Sequence, residues 1–320
     1  MEKNNENDLI KDEENRFKIM SYNVRYCDDS LRNNIDGTIL TRAKYVIKNI
    51  LLYMPDTIGF QEVTVSKNSN LVTWYSILNK GLKDYIGVGV GRDNNVISEA
   101  NPIFYNKNKL ELLEQGTKWL SPSPDIPESK FEEPTDNLKR ILTYAILKNK
   151  KTNKIFLHVN THLDYLFSEN RIRQIKVVIN FISEYKDKYP ILLTGDFNSG
   201  NTECEIKKGD AVPFLLNHGF FDASSEAKNI SHHWTFPSIG YIKKIYDLCL
   251  KRKTHKNGLK LSEQEYCGSE CDEENGSIID YCFRCNNKIC FEKYKVISDY
   301  KECGGISSDH YPIYIEGYFI

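Results

Sequence analysis

Six short polar clusters, each closing an apolar run, hold the residues of this chain that could do chemistry. In chain order they are Ser21-Tyr22-Asn23, Gln61-Glu62, Thr161-His162-Leu163-Asp164, Thr194-Gly195-Asp196-Phe197-Asn198, Ile279-Asp280-Tyr281 and Ser307-Ser308-Asp309-His310-Tyr311-Pro312. Any one of them alone would pass for turn residues, whereas the ordered set reads as one active site assembled from several strand ends. Asp196 and Asn198 are two apart, which on an extended segment turns both side chains to one face. An acid and an amide placed together can hold a metal-bound nucleophile and orient a phosphate. Glu62 offers the hard carboxylate oxygen that Mg²⁺ prefers, and Asp309 is a candidate to share that role. The imidazoles of His162 and His310 suit proton transfer near neutral pH. Each needs an orienting carboxylate, and Glu99 and Asp280 are the candidates. Phosphoester hydrolysis calls for these parts: an oriented water, a cation on the non-bridging oxygens and a stabilised leaving group.

The elements that must position these groups follow from hydrophobic period and punctuation. Alternation over 17–23 gives a first strand. Thr41 is the expected N-cap of a helix over 42–53, whose stripe is Val46, Ile47, Ile50 and Leu51. A short buried strand over 57–60 then delivers Gln61 and Glu62. A second helix is expected over 69–80, with Gly81 as its C-cap. Strands are expected over 85–90, 103–106, 110–118, 142–147 and 155–161. Between them, 119–137 carries four prolines and reads as a surface loop. Apolar residues at Ile172, Ile175, Val178, Ile179 and Ile182 predict a helix over 168–186. The closing strands are expected over 191–194, 278–283, 295–297 and 313–318. Gly87, Gly89 and Gly91 alternate within a strand and lack a following helix, so they are not a dinucleotide loop.

The chain has 320 residues, 40% hydrophobic and 27% charged, which fits an ordinary globular protein. No apolar run approaches the roughly 20 residues that span a bilayer, and no apolar signal segment opens the chain. Residues 1–15 read as a disordered tail and 16–320 as one domain. A basic block and then an acidic block mark 241–276 as a solvated insertion. With 43 basic and 44 acidic residues the formal net charge is −1, which argues against affinity driven by a nucleic-acid backbone but not against phosphate chemistry. Nine cysteines point to reduced thiols in the cytoplasm, with the nucleus as an alternative. Cys267, Cys271, Cys282, Cys285 and Cys290 do not pair into two clean Cys-x-x-Cys knuckles, so a structural zinc is not expected. His158, mid-strand, reads as structural, and His232 and His233 as loop residues.

The chain resembles the endonuclease/exonuclease/phosphatase superfamily, the fold of pancreatic-type deoxyribonuclease and abasic-site endonucleases. Its likeness is greatest to the bacterial-type metal-dependent hydrolase subgroup. The resemblance runs from Ile19 to Phe319 through 21–26, 58–63, 89–93, 99–105, 116–121, 160–164, 195–198, 279–281 and 308–312. It implies an α/β fold, a four-layer sandwich of two packed mixed β-sheets flanked by helices. It further implies that Glu62 is the principal Mg²⁺ ligand, with Mn²⁺ able to substitute, and that Asn23 helps to hold the metal and substrate. Asp196 and Asn198 would orient the attacking water and the scissile phosphate. His310 with Asp280 and His162 with Glu99 would form two His–carboxylate pairs, His162 assisting the leaving group or holding a non-bridging oxygen. Arg140 matches a position that contacts phosphate. The subgroup often has a second histidine after Leu-Asp, where this chain has Tyr165. The expected function is Mg²⁺-dependent hydrolysis of a phosphodiester, in nucleic acid or a nucleotide-like molecule, by a monomer. A phosphomonoesterase or a lipid- or inositol-headgroup phosphatase is the alternative. Inositol-phosphate 5-phosphatases carry a Trp two residues before Gly-Asp and an Arg after the Asn. Leu193 and Ser199 stand there instead, which disfavours that reading. A catalytically silent binding module would be expected to have lost an acid or a histidine, and none of the set is missing.

Overall fold

The computed structural model describes residues 15–26, 38–200, 209–231, 234–237, 276–298 and 306–320. The expected tail and charged insertion lie outside these residues apart from Asn15 and Gly276, as do His232, His233, Cys267 and Cys271. Two large sheets stack on each other. The first joins β1 (Arg16–Asn23), β2 (Thr57–Gln61), β4 (Tyr85–Val88), β6 (Ile103–Asn106), β12 (Asn229–Ser231), β16 (Ile289–Val296) and β17 (Ile313–Phe319) in the order β12-β16-β17-β1-β2-β6-β4. The second joins β7 (Leu110–Trp119), β8 (Ile141–Asn149), β9 (Ile155–His162), β10 (Ile191–Asp196), β11 (Phe221–Asp222) and β15 (Asp280–Arg284) in the order β11-β15-β10-β9-β8-β7. Both sheets are mixed, since β1 runs parallel to β2 and β9 parallel to β10 while the other central pairings are antiparallel. Two short ribbons complete the frame: β3 (Val63–Ser66) with β5 (Ile97–Ala100), and β13 (Phe236–Pro237) with β14 (Gly276–Ser277).

The period of two along each strand separates three cores. Met20 and Tyr22 of β1 and Ile58 and Phe60 of β2 face outward onto α1 (Ile39–Tyr53) and α2 (Trp74–Gly81), meeting Val46, Ile50, Trp74 and Leu78. Leu157, Val159 and Leu193 face outward on the second sheet, onto Ile175, Val178 and Ile182 of α3 (Ser168–Ser183) and onto α4 (Ala211–Asn217). Phe17, Ile19, Phe156, Leu192 and Ile315 fill one end of the space between the sheets. The result is the expected four-layer sandwich.

Further along the same inward faces the interior turns polar. Gln61 donates to Ser21 Oγ (3.1 Å) and to Asn160 Oδ1 (2.7 Å), tying the first sheet to the second. Thr194 also donates to Asn160 Oδ1 (3.1 Å), so its oxygen must accept from His158 Nε2 (2.8 Å). That makes His158 Nδ1 the acceptor for the Thr57 hydroxyl (2.9 Å) and assigns the ring one neutral tautomer. Burial pushes the His158 pKa down to about 3, consistent with a ring that never carries charge. Gly59 lies between these groups. A Cβ there would fall 2.7 Å from Asn160 Cγ and still closer to Thr194 Oγ1.

Several boundaries depart from the sequence expectation. The N-cap of α1 is Thr38, not Thr41; its side chain accepts from the Thr41 amide, and Ile39 extends the apolar stripe by one turn. The second helix begins only at Trp74, behind a capping box of Thr73 and Ser76. Before it, Asn68 Oδ1 accepts from the Asn70 amide, a side-chain turn that competes with helix. Gly81 is the last helical residue and Leu82 the C-cap. β4 stops at Val88 because Gly89 takes a φ of 120°. The expected strand over 295–297 is the end of the longer β16, and β3, β5 and α4 were not foreseen. No described helix is long and apolar enough to cross a membrane.

Two stability measurements test the interior. Gly59→Ala is expected to cost about 2–3 kcal/mol, since the new methyl must push apart side chains that are hydrogen-bonded to each other. Urea unfolding that shows less than about 0.5 kcal/mol would mean that the sheets are less closely apposed there. The second concerns pH. Unfolded, His158 binds a proton as pH falls through about 6.5, whereas folded it stays neutral down to about 3. Its contribution is therefore present above the unfolded pKa and is lost as pH falls from there toward the folded one. Wild-type stability should drop more steeply across that window than that of His158→Gln, and equal slopes would show a hydrated, titrating ring.

Candidate active site

The polar clusters converge where the inward faces of β1, β9, β10 and β15 end. Strand pairing sets His162 beside Asp196 and Asp196 beside Asp280. Glu62 needs a different device. Alternation after Gln61, which faces the interior, would send Glu62 to the outer face. Its backbone instead turns through a left-handed φ of 61° and brings the carboxylate back to the inner end of the sandwich. Arg25 (φ 58°) and Asn198 (φ 47°) use the same region just beyond β1 and β10. Side chains with a Cβ adopt it at a cost of order 1–3 kcal/mol, and such outliers gather at functional sites.

Asn23 links the acids: its NH₂ donates to Glu62 Oε1 and to Asp196 Oδ2, both at 2.9 Å, while its oxygen accepts from the Arg25 amide (2.9 Å). The Tyr26 amide holds the other Glu62 oxygen at 2.9 Å. His310 Nδ1 meets Asp280 Oδ2 at 2.9 Å, and its Nε2 lies 3.7 Å from Asp196 Oδ2. His162 Nε2 approaches the same Asp196 oxygen at 3.5 Å. The Thr235 hydroxyl accepts from the amides of Ile279 and Asp280, and the Phe236 ring packs on His310 with centroids 4.7 Å apart. Of these groups Glu62, His162, Asp196, Phe236 and His310 line a cleft of about 660 Å³, together with Tyr26, Arg92, Glu99, Arg140 and Tyr165.

The two histidines are driven apart in protonation. Burial works against charge on His310, but the carboxylates of Asp280 and Asp196 outweigh it and raise the pKa to about 10. Burial lowers that of His162, and the positive charges of Arg140, Arg92 and His310 lower it further, so it stays neutral. Burial raises Asp196 to about 7, with repulsion from Asp280 adding to it against the pull of His310. Burial likewise lifts Glu99 to about 7, opposed by Arg92 and reinforced by Glu62.

Several expectations change. Glu99 Oε1 lies 3.9 Å from His162 Nδ1, outside hydrogen-bond reach, and pairs instead with Arg92 at 2.7 Å. The expected His162–Glu99 pair is thus displaced by an ion pair that β5 places closer, and among the described residues His162 Nδ1 is buried without a partner. Asp309, expected at the metal, is paired with Arg25 at 3.0 Å. Arg140 lines the cleft, yet its guanidinium is committed to Asp136 through two bonds within one turn of chain. Asn198 is not on an extended segment, because β10 ends at Asp196, whose Oδ1 accepts from the Asn198 amide (2.9 Å). The Asn198 side chain is anchored on the Leu163 carbonyl at 3.0 Å. Arg25, Arg92, Asp136 and Thr235 were missed. They support the site from loops that no periodic signal marks, although Arg25 and Arg92 lie within 21–26 and 89–93, segments of the stated resemblance.

One donor atom from each of Glu62, Asp196 and His310 lies within 4.8 Å of the other two. This set fits a hard divalent cation. Two carboxylates supply oxygens, and an Asp196 pushed up by burial and like charge lacks the counter-charge a cation brings. Asn23 presents its NH₂ to both acids and so holds them rather than offering its oxygen.

No family model matches the sequence. A solved endonuclease/exonuclease/phosphatase family protein of Bacteroides thetaiotaomicron superposes with a TM-score of 0.73 at 24% identity, covering 95% of this chain and 98% of that one. The chain has the endonuclease/exonuclease/phosphatase fold. Another structure with this fold, a mannosyl-6-phosphatase of the same bacterium, gives a TM-score of 0.71 at 24% identity over 95% of this chain and 100% of its own. Among sequence relatives, an uncharacterized protein of Acanthamoeba polyphaga mimivirus is 28% identical over 86% of this chain and 90% of its length. The Saccharomyces cerevisiae RNA exonuclease NGL1 is 23% identical over 57% of this chain and 56% of its length.

Asp280→Asn removes the carboxylate that keeps the His310 ring charged. In cation-free protein the His310 pKa, followed by NMR of the ring protons, should fall by more than one unit from its position near 10. A value that does not move would mean that Asp280 does not govern it.

Proposed function

We propose that this protein is a divalent-cation-dependent phosphoester hydrolase, acting on a phosphodiester in nucleic acid or a nucleotide-like molecule. The observation that carries the reading is the meeting of Glu62, Asp196 and His310 at the floor of one cleft, with His310 backed by Asp280. Glu62 and Asp196 would hold the cation, Mg²⁺ or Mn²⁺. When bound, it supplies positive charge to the non-bridging oxygens and lowers the pKa of water. Asn23 fixes the two carboxylates so that their positions do not reorganise during reaction. Asp196 and the backbone turn at Asn198 define the attack side. His310 carries its proton and donates to a phosphoryl or leaving oxygen, while neutral His162 holds an oxygen through N–H without adding charge. Glu99, neutralised by Arg92, supports this wall rather than acting on His162. The likeness to an RNA exonuclease supports a diester substrate. The likeness to a mannosyl-6-phosphatase favours a second reading, a phosphomonoester. Among the described residues Cys282, Cys285 and Cys290 are free thiols, in keeping with a reducing compartment such as the cytoplasm.

The test is turnover of bis(p-nitrophenyl) phosphate, an oligonucleotide and mannose 6-phosphate with Mg²⁺ or Mn²⁺. Glu62→Gln and Asp196→Asn should each lose well over tenfold in kcat with an unchanged circular dichroism spectrum. Retention of more than about a tenth of wild-type turnover, a deficit of only ~1.4 kcal/mol, would remove these residues from the reaction. Faster cleavage of the monoester than of both diesters would select the second reading.

A further inference from the structure

Immediately after the His162 cluster the chain turns three large apolar side chains to solvent: Tyr165 (56% exposed), Leu166 (54%) and Phe167 (37%). A single exposed apolar residue needs no explanation, but a contiguous run beside a polar cleft does. Nor is the turn slack. One oxygen of the fully buried Asp164 accepts from the amides of Leu166 (2.7 Å) and Phe167 (2.8 Å), and the other from Asn170 Nδ2 (2.8 Å) and the Asp136 amide (2.7 Å). The Asp164 amide is held by Gln174 Oε1 at 2.9 Å. Burial alone would raise the Asp164 pKa, but the Asn170 and backbone hydrogen bonds overcome it and hold the group below the usual carboxylate range. Asp136, which clamps Arg140, also accepts from the Tyr165 amide at 3.4 Å. The backbone at Tyr165 is thus held at the rim of the cleft that contains His162, Asp196 and His310, which the Tyr165 side chain lines.

What this cleft can bind follows from its remaining groups. Arg92 and Arg140 are neutralised by Glu99 and Asp136, and Glu62, Asp93 and Asp196 add negative charge. Among the described residues, then, the wall offers no surplus of cations for a polyphosphate. It offers a place for one phosphate at the floor and, beside it, an exposed aromatic ring on a backbone held in place. An aromatic side chain with few rotatable bonds loses little entropy when a flat ring lies on it. We propose that Tyr165 is a stacking platform that selects phosphoesters carrying a nucleobase, or an equivalent flat aromatic group, next to the reacting phosphate. This rests on the phosphoester reading above and names the substrate class of that site.

The test is binding, so that it stands apart from turnover. Adenosine 5′-monophosphate and ribose 5-phosphate share a sugar phosphate and differ by the base. Titration calorimetry of the full chain with Ca²⁺ should show tighter binding of the nucleotide by about 5-fold to 150-fold, the range for one stacked base. Tyr165→Ala should erase that difference and leave ribose 5-phosphate unaffected, while Tyr165→Phe should keep it, because the ring and not the hydroxyl does the stacking. Equal affinities in the wild type, no binding of either compound, or a preference that survives Tyr165→Ala would each overturn the proposal. So would binding to phosphatidylcholine vesicles that depends on Tyr165 without any preference for the base, which would mark the rim as a lipid-facing surface. A wild type that prefers the nucleotide through Tyr165 yet hydrolyses no phosphoester would leave the platform standing and refute the hydrolase reading.

Discussion

Two sheets can stack about 10 Å apart only if what lies between them is apolar or, where it is polar, largely hydrogen-bonded. Here the interior changes from apolar to hydrogen-bonded along each strand, and among the described residues Gln61 Oε1 is left buried without a partner. β1 goes from Phe17 and Ile19 to Ser21 and Asn23, β9 from Phe156 to His158, Asn160 and His162, and β10 from Leu192 to Thr194 and Asp196. The middle of that gradient is the Thr57–His158–Thr194–Asn160–Gln61–Ser21 chain, in which each link has one workable proton arrangement. Gly59 leaves the room it needs. Because the next inward residues are Asn23, His162 and Asp196, the belt sets the spacing of the site. A slip of one residue in any of these strands would turn the carboxylates outward.

Past the belt, the structure collects more negative charge than it neutralises. Glu62, Glu99, Asp196 and Asp280 lie close together against Arg92, Arg140 and the charged His310. Arg92 and Arg140 are spent on individual acids, and Asp196 and Glu99 still sit near pH 7 in pKa. Removing a charge from water costs several kcal/mol unless it is paired, so this cluster is held together by the rest of the fold rather than helping to stabilise it. Left-handed backbone at Arg25, Glu62 and Asn198 adds to that cost. A site that is strained and short of positive charge is one that a cation and a phosphate would relieve.

How much of this was legible in the sequence depended on the range of the interaction. The strands that carry Asn23, His162, Asp196 and Asp280 were readable because alternation and apolar content are local properties. The pairing of His310 with Asp280, stated from resemblance, is the geometry found, at 2.9 Å. The pairing of His162 with Glu99 is not, because Arg92 competes for the same carboxylate and spacing along the chain does not rank competing partners. Asp309 was assigned to the cation by residue type and Arg140 to phosphate by resemblance, yet each is taken up by an opposite charge nearby. Helix starts were misplaced by one turn or more where Thr38 and Asn68 made side-chain turns that only the cap geometry reveals.

By itself, then, the sequence determined the layered α/β architecture and the order in which polar residues arrive at one end of it, since burial period and turn chemistry are written in short stretches of chain. The tertiary structure alone decided which histidine is charged and which is neutral, which carboxylates remain for a cation, and that Tyr165 lines the cleft. Each of these is a sum over groups distant in sequence, in a medium where a few ångströms decide whether a charge is paired.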